Sequence, residues 1–371
     1  MSERSATEFL RRTGWGDAPI MPLPADASTR RYMRLMASSK RALLMDQPQG
    51  AESPTAHPDA SAAERMALGY NAVARLAGAD CGRFIAVADY LRSRGLAAPE
   101  IYAADTEQGF LIIEDFGDGL FAEVLSGDAD EAELYKAAVE VLARLHAQPA
   151  PALLAPGMPL YAYDETALLA ETDLLVDWFL PLALDRPVTA AEQAEHRALW
   201  RAALDSISGG NMVLVHRDYH AQNLFWMPQR HGLDRIGLID FQDAVAGSRA
   251  YDLISLTEDA RRDVSPELAE LATRHYLAAM RDQGTPLDEA RFRTEMAVMA
   301  AQRNAKIVGI FARLYKRDGK RRYLALLPRV WGYLERDLAH PALAPLRAWY
   351  DRTIPKSLRE LAEKATPRGN P

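Results

Sequence analysis

Residues 213–241 constrain this chain more than any other stretch. A short apolar run ends in His216, the polar loop His216-Arg217-Asp218-Tyr219-His220-Ala221-Gln222-Asn223 follows, and a second apolar run over 236–239 ends in Asp240-Phe241. Apolar runs this short, bounded by polar residues, read as buried strands. The first strand then delivers Asp218 to the mouth of a loop, and the second delivers Asp240 to its own end.

Those residue types suit one chemistry. Moving a phosphoryl group from ATP to a hydroxyl needs a carboxylate that accepts or orients the hydroxyl proton, together with oxygen ligands that hold Mg²⁺ on the phosphates. Asp218 fits the first role. Asn223, five residues on, offers a neutral carbonyl oxygen and Asp240 a carboxylate, both hard ligands appropriate to Mg²⁺. Taken singly, His216 and His220 are ordinary core histidines and the acids ordinary loop caps. Residue types, interval and flanking strands match jointly, which a single residue cannot do.

His216, Asp218 and Asn223 match the H-x-D-x-x-x-x-N catalytic loop, and Ile239-Asp240-Phe241 the metal-binding motif, of the kinase-like fold. In this form the chain resembles the aminoglycoside phosphotransferase family. The resemblance implies an α+β, two-lobed protein-kinase-like fold with a small antiparallel-sheet lobe and a larger, mainly helical one. The expected division is residues 1–116 for the ATP-binding lobe, with an insertion at 47–82, and 117–371 for the catalytic and acceptor-binding lobe. Asp252, in Ala250-Tyr251-Asp252-Leu253, matches an acid that steadies the catalytic loop, and is otherwise an ordinary acid at a helix start.

Composition sets outer limits. The chain has 371 residues, 49% of them hydrophobic, enough for two sub-domains with cores of their own. It carries no run of eighteen apolar residues and no apolar leader, so no membrane span or secretion is expected. Cys81 is the single cysteine, which rules out an intrachain disulfide or thiolate zinc site and fits a cytoplasmic location. A net charge of −7 argues against a nucleic-acid partner.

Upstream, residues 4–13 read as a helix, residues 26–35 as a turn between two strands, and residues 41–46 as a third strand. In the family such a hairpin covers the phosphates, which implicates Ser28 and Thr29 as donors. The turn has no glycine, so close backbone approach to phosphates is less well assured. The third strand also lacks the usual phosphate-binding lysine near Met45. Strand alternation puts Arg41, Leu43 and Met45 on one face, which leaves Arg31, Arg34 or Arg41 as the substituting cation, or else Mg²⁺ and backbone donors. The insertion opens as a Pro- and Gly-containing loop and turns helical over about 61–76. A helix over 84–95 has no Glu, so both halves of the usual Lys–Glu pair are missing.

Residues 99–102 and 109–116 read as two more strands. The second runs into the segment that, in the family, passes the adenine, so Glu114 and Phe116 join the cofactor-binding candidates. Helical periodicity dominates from residue 121 onward, with His146 read as a packing histidine. Glu171 and Asp177 are candidates for acceptor hydroxyls, the alternative being solvated acids on an amphipathic helix. Between 291 and 336, twelve Lys or Arg stand against three Asp or Glu. Such a surface repels a polycationic aminoglycoside and favours a neutral or anionic acceptor, with Arg303 and Lys306 as candidate contacts.

The turn at 27–32, the strand end at 44–46 and residues 109–118, 216–223, 302–323 and 327–331 together resemble the bacterial cell-wall sugar kinases of this family. Those enzymes phosphorylate the anomeric hydroxyl of N-acetylmuramate and N-acetylglucosamine in peptidoglycan recycling. The expectation is an ATP- and Mg²⁺-dependent sugar kinase. The alternatives are a kinase of a choline-like or aminoglycoside-like acceptor and a pseudokinase scaffold.

Overall fold

The computed structural model describes residues 3–24, 29–37, 40–48, 53–359 and 361. The chain forms two compact units, one of residues 1–161 and 216–245 and the other of residues 162–215 and 246–371.

In the first unit, helix α1 (Glu3–Arg12) precedes a five-stranded antiparallel sheet. Its strands are β1 (Ile20–Pro22), β2 (Arg31–Ala37), β3 (Lys40–Asp46), β4 (Ile101–Asp105) and β5 (Phe110–Glu114), in spatial order β1-β2-β3-β5-β4. Leu35 lies opposite Ala42 and Leu44 opposite Ile112, so one face of the sheet collects apolar side chains. Phe9 and Leu10 of α1 close that face with Leu35, Ala42, Leu44, Phe110 and Ile112, and the Phe9 and Phe110 rings stack at 5.6 Å.

The expected boundary after residue 116 lies inside this unit, for a hydrogen-bonding reason. A hairpin of Leu224–Trp226 and Ile236–Leu238 donates from Leu238 to the Ala97 carbonyl and from Trp226 to the Gly119 carbonyl, at 2.8 and 2.7 Å. Those bonds tie the hairpin to the run-in of β4 and to the segment after β5.

The insertion is held at several points. Helices α2 (Ala62–Leu68) and α3 (Tyr70–Val73) break at Gly69, where the sequence pattern predicts one helix. Arg75 donates to the carbonyls of His57 and Pro58, and its guanidinium sits 5.0 Å from the Tyr161 ring centroid. Helix α4 (Cys81–Ser93) follows, and Phe84 packs on Phe241 with centroids 4.9 Å apart.

The second unit is mainly helical. A 30-residue helix, Glu289–Asp318, opens with the Asp288 side chain accepting from the Arg291 amide and closes at Gly319. Helix Glu165–Leu174 passes into a π-helical turn over Leu175–Phe179, against which the long helix packs at Gly309. A Cβ on Gly309 would lie 2.4 Å from the Leu174 carbonyl carbon, so only glycine permits this approach. Gly309→Ala is expected to destabilise the protein by about 1–3 kcal/mol through overpacking. An unchanged urea midpoint would contradict this reading of the contact.

Candidate active site

Short-range topology assembles the catalytic candidates. The hairpin register sets Leu224 opposite Leu238, so Asn223 and Ile239 are neighbours and the Ile239 amide donates to the Asn223 carbonyl at 3.1 Å. Asp240 follows directly. Its carboxylate Oδ2 lies 3.5 Å from Asn223 Nδ2, and Asn223 Nδ2 also donates to the Asp218 carbonyl at 3.0 Å. Asp218, Asn223 and Asp240 thus come together within the first unit, in the relation their spacing suggests.

The loop is held from several directions. His216 is fully buried, edge-on to Tyr219 and Phe241. Tyr219 donates to the Ala138 carbonyl at 2.8 Å, and the Asn223 amide to the His220 carbonyl at 2.8 Å. Arg217 and Asp240 adopt φ of +80° and +60°. Non-glycine residues rarely do so, and such conformations concentrate where the surrounding structure over-determines a functional geometry.

Two residues that no sequence motif singles out help fix the loop. Arg217 donates to the Ala74 carbonyl at 2.9 Å, and Asp243 accepts from the Ala77 amide at 2.6 Å. The 74–77 segment of the insertion is therefore hydrogen-bonded on both sides of the Asp218 and Asp240 loops. Burial pushes the Asp243 carboxyl above its ordinary value, against the pull of Arg217 and the Ala77 amide.

Asp240 has a second set of partners. Arg30 donates to its Oδ1 at 2.9 Å and Gln242 to the same oxygen at 3.0 Å. Burial works to raise this carboxyl, but Arg30 and Gln242 outweigh it and hold it below the usual carboxylate value. The donor set fits a magnesium ion: one ionised carboxylate and one amide oxygen suit a cation that takes its remaining ligands from water and phosphates. Among the described residues no cluster of three His, Cys, Asp or Glu offers an all-protein cage.

The other nucleotide candidates fall in several places. Ser28 lies outside the described residues. Thr29 accepts from Gln47 at 3.2 Å. Arg31 is 62% exposed and 3.6 Å from Asp46, whereas Arg34 pairs with Asp115 and Asp118 at 2.8 Å each. Arg41 reaches Asp115 at 3.7 Å. Glu114 pairs with Arg230 and accepts from the Glu100 amide, so its side chain is already engaged. Phe116 belongs to an apolar cluster with Ala97 and Met227, and Phe225 packs beside it. A Cβ on Gly237 would lie 2.7 Å from the Phe116 ring, so glycine makes room for the ring against the hairpin.

The acceptor candidates divide into three groups in the second unit. Glu171 and Lys306 meet at 3.4 Å in a buried cluster. There Lys306 donates to Tyr251 at 2.6 Å, Gln302 donates to Glu171 at 3.1 Å, and Tyr163 also donates to Glu171. Arg303 belongs to another group, donating to Ser255 at 2.9 Å and to the Glu258 carbonyl at 3.2 Å. Beside it, Asn304 bridges Glu258 and Asp337, whose carboxyls burial pushes up. Asp177 is exposed and accepts from Gln193 at 3.3 Å.

The basic excess of 291–336 is smaller in space than along the chain. Arg293 pairs with Glu270 and Glu289, Lys306 with Glu171, Arg317 with Asp318, Arg329 with Asp263 and Arg336 with Glu258. Five of these six acids, all but Asp318, lie outside the segment, and a count within it omits them.

Residues 19–287 match the phosphotransferase enzyme family. A Caulobacter vibrioides protein named N-acetylmuramate/N-acetylglucosamine kinase is 44% identical over 363 residues, 96% of this chain and 99% of that one. A Pseudomonas aeruginosa protein of the same name is 32% identical, covering 91% of this chain and 90% of its own length. Among solved structures, an aminoglycoside phosphotransferase with ADP bound aligns at TM-score 0.54 and 13% identity, over 90% of this chain and 97% of that one, a likeness of fold. No helix among the described residues is long and apolar enough to cross a membrane. With the matched region running through the Asp218 loop and the Asp240 hairpin, and with near-full-length kinase relatives on either side of one-third identity, this chain belongs to the phosphotransferase enzyme family.

Proposed function

We propose that the protein is an ATP- and Mg²⁺-dependent kinase acting in the cytoplasm on the anomeric hydroxyl of N-acetylmuramate, N-acetylglucosamine or both. The observation that carries the phosphoryl-transfer reading is the convergence of Asp218, Asn223 and Asp240, through one hairpin register, within one unit. The choice of sugar rests on the names of relatives that match nearly the whole chain.

In this reading Asp218 orients the sugar hydroxyl and takes its proton, while Asn223 and Asp240 hold the metal that neutralises charge on the phosphates. An anomeric hydroxyl is more acidic than an ordinary alcohol, so Asp218 contributes chiefly by orientation. The apolar platform of Phe116, Phe225 and Met227 supports the adenine, with the backbone after β5 supplying its hydrogen bonds. Ser28 and Thr29 supply phosphate donors. Glu171 and Lys306 remain the acceptor candidates that share a location, and Arg303 and Asp177 lie apart from them.

ADP release should be fastest with N-acetylmuramate or N-acetylglucosamine and at background with choline and kanamycin. Phosphorus NMR should place the product phosphate on the anomeric oxygen. Turnover confined to choline or kanamycin, or a phosphate on another hydroxyl, would overturn the assignment.

A further inference from the structure

The strand pattern brings forward three arginines as phosphate cations, and the fold commits each of them elsewhere. Arg31 faces solvent beside Asp46, and Arg34 and Arg41 converge on Asp115. Arg30, one residue before β2, is placed differently. Its side chain is only 9% exposed, Nη1 rests on Asp240 Oδ1 at 2.9 Å, and Nε donates to Gln47 Oε1 at 2.8 Å. Gln47 in turn donates to Thr29, so the end of the β1–β2 connection, the end of β3 and Asp240 are tied together through one guanidinium.

Resting on the reading of Asp240 as a metal ligand, we infer that Arg30 is the phosphate-binding cation of this kinase, held on Asp240 until metal-bound nucleotide arrives. The electrostatics require an exchange. A guanidinium and a divalent cation on the same carboxylate oxygen repel strongly at such separations, in a partly desolvated site above all. Arg30 must therefore leave Oδ1 when the metal is held there. A polyphosphate offers the planar guanidinium a bidentate acceptor of higher charge than the carboxylate it gives up. The Gln47 contact through Nε keeps the side chain anchored while Nη1 changes partner.

Two consequences separate this role from a structural one. In the nucleotide-free protein Arg30 competes with metal for Asp240, so its removal tightens metal binding. Toward metal-free nucleotide Arg30 is an attractive partner, so its removal weakens binding. A residue that merely supported the hairpin would move both affinities the same way.

The test uses the full-length protein with Mn²⁺ as the metal probe, followed by its electron paramagnetic resonance, and ADP in EDTA followed by calorimetry. Arg30→Ala is expected to bind Mn²⁺ about tenfold more tightly without nucleotide and metal-free ADP about tenfold more weakly. Arg30→Lys, which keeps the charge but loses the fork, is expected to fall between wild type and Arg30→Ala in both measurements, and serves if the alanine variant does not fold. Affinities within twofold of wild type, or shifts in one common direction, overturn the inference. Asp240→Asn tests the underlying reading separately: retained Mn²⁺ binding in the presence of ADP would remove the metal assignment and the reserve role with it. Lost Mn²⁺ binding, with no opposed shifts in the Arg30 variants, would overturn the role of Arg30 alone.

Discussion

Asp218→Asn is expected to lower kcat about 100-fold or more while ADP affinity and the KM for the sugar stay close to wild type. The substitution keeps the shape of the side chain but removes the charge that orients the hydroxyl proton and can take it, and loss of such a group costs on that order. The surrounding structure is suited to a clean result. The Asp218 main-chain carbonyl, not its side chain, accepts from His220 and Asn223, so the loop keeps its hydrogen bonds in the variant. Turnover close to wild type would exclude Asp218 as base. A large rise in KM with kcat unchanged would make it a binding residue instead.

Asp240→Ala should cost more, about 10²–10³ in kcat, with loss of Mn²⁺ binding to the ADP complex. Removing the only charged member of the donor set deprives the transferring phosphoryl group of its preorganised counter-charge. Asp240 is also the partner of Arg30, yet the fold should survive. The Asp240 side chain is 42% exposed, and Arg30 retains its bond to Gln47. Circular dichroism close to wild type, together with turnover lowered by that factor, is the expected pair of results. Retained turnover at ordinary Mg²⁺ would remove Asp240 from the chemistry.

Both variants probe residues that are legible in the amino-acid sequence, and locality is the reason. Asp218 and Asn223 lie five positions apart in one loop, and Asp240 follows the next strand of the same hairpin. Once two apolar runs pair, a register converts linear spacing into adjacency with few further degrees of freedom. The strands of the first unit are readable for the same reason, but not the face that α1 covers, because Phe110 to Ile113 of β5 are all apolar and buried and show no alternation.

Non-local pairings are not readable in this way. Arg30 and Asp240 are 210 positions apart, and Asp243 meets Ala77 across 166. Strand alternation can list the arginines of the hairpin but not which one turns inward, because that depends on where Gln47 and Asp240 end up. The basic segment 291–336 misleads in the same way: part of its charge is offset by Glu270, Asp263 and Glu258, which lie outside it in the chain. Glu171 and Lys306, which stand out separately along the chain, are buried partners 135 positions apart.

The amino-acid order alone therefore determines the loop that carries Asp218 and Asn223, the hairpin that follows it and the kind of fold able to display them, because each depends on interactions within a few tens of residues. Tertiary structure decides which arginine guards Asp240, which segment of the insertion braces the Asp218 loop and how far the basic C-terminal charge is neutralised. In the first two the arginine is buried, and its desolvation is tolerated only opposite a partner; in all three that partner is brought alongside by packing of residues distant in the chain.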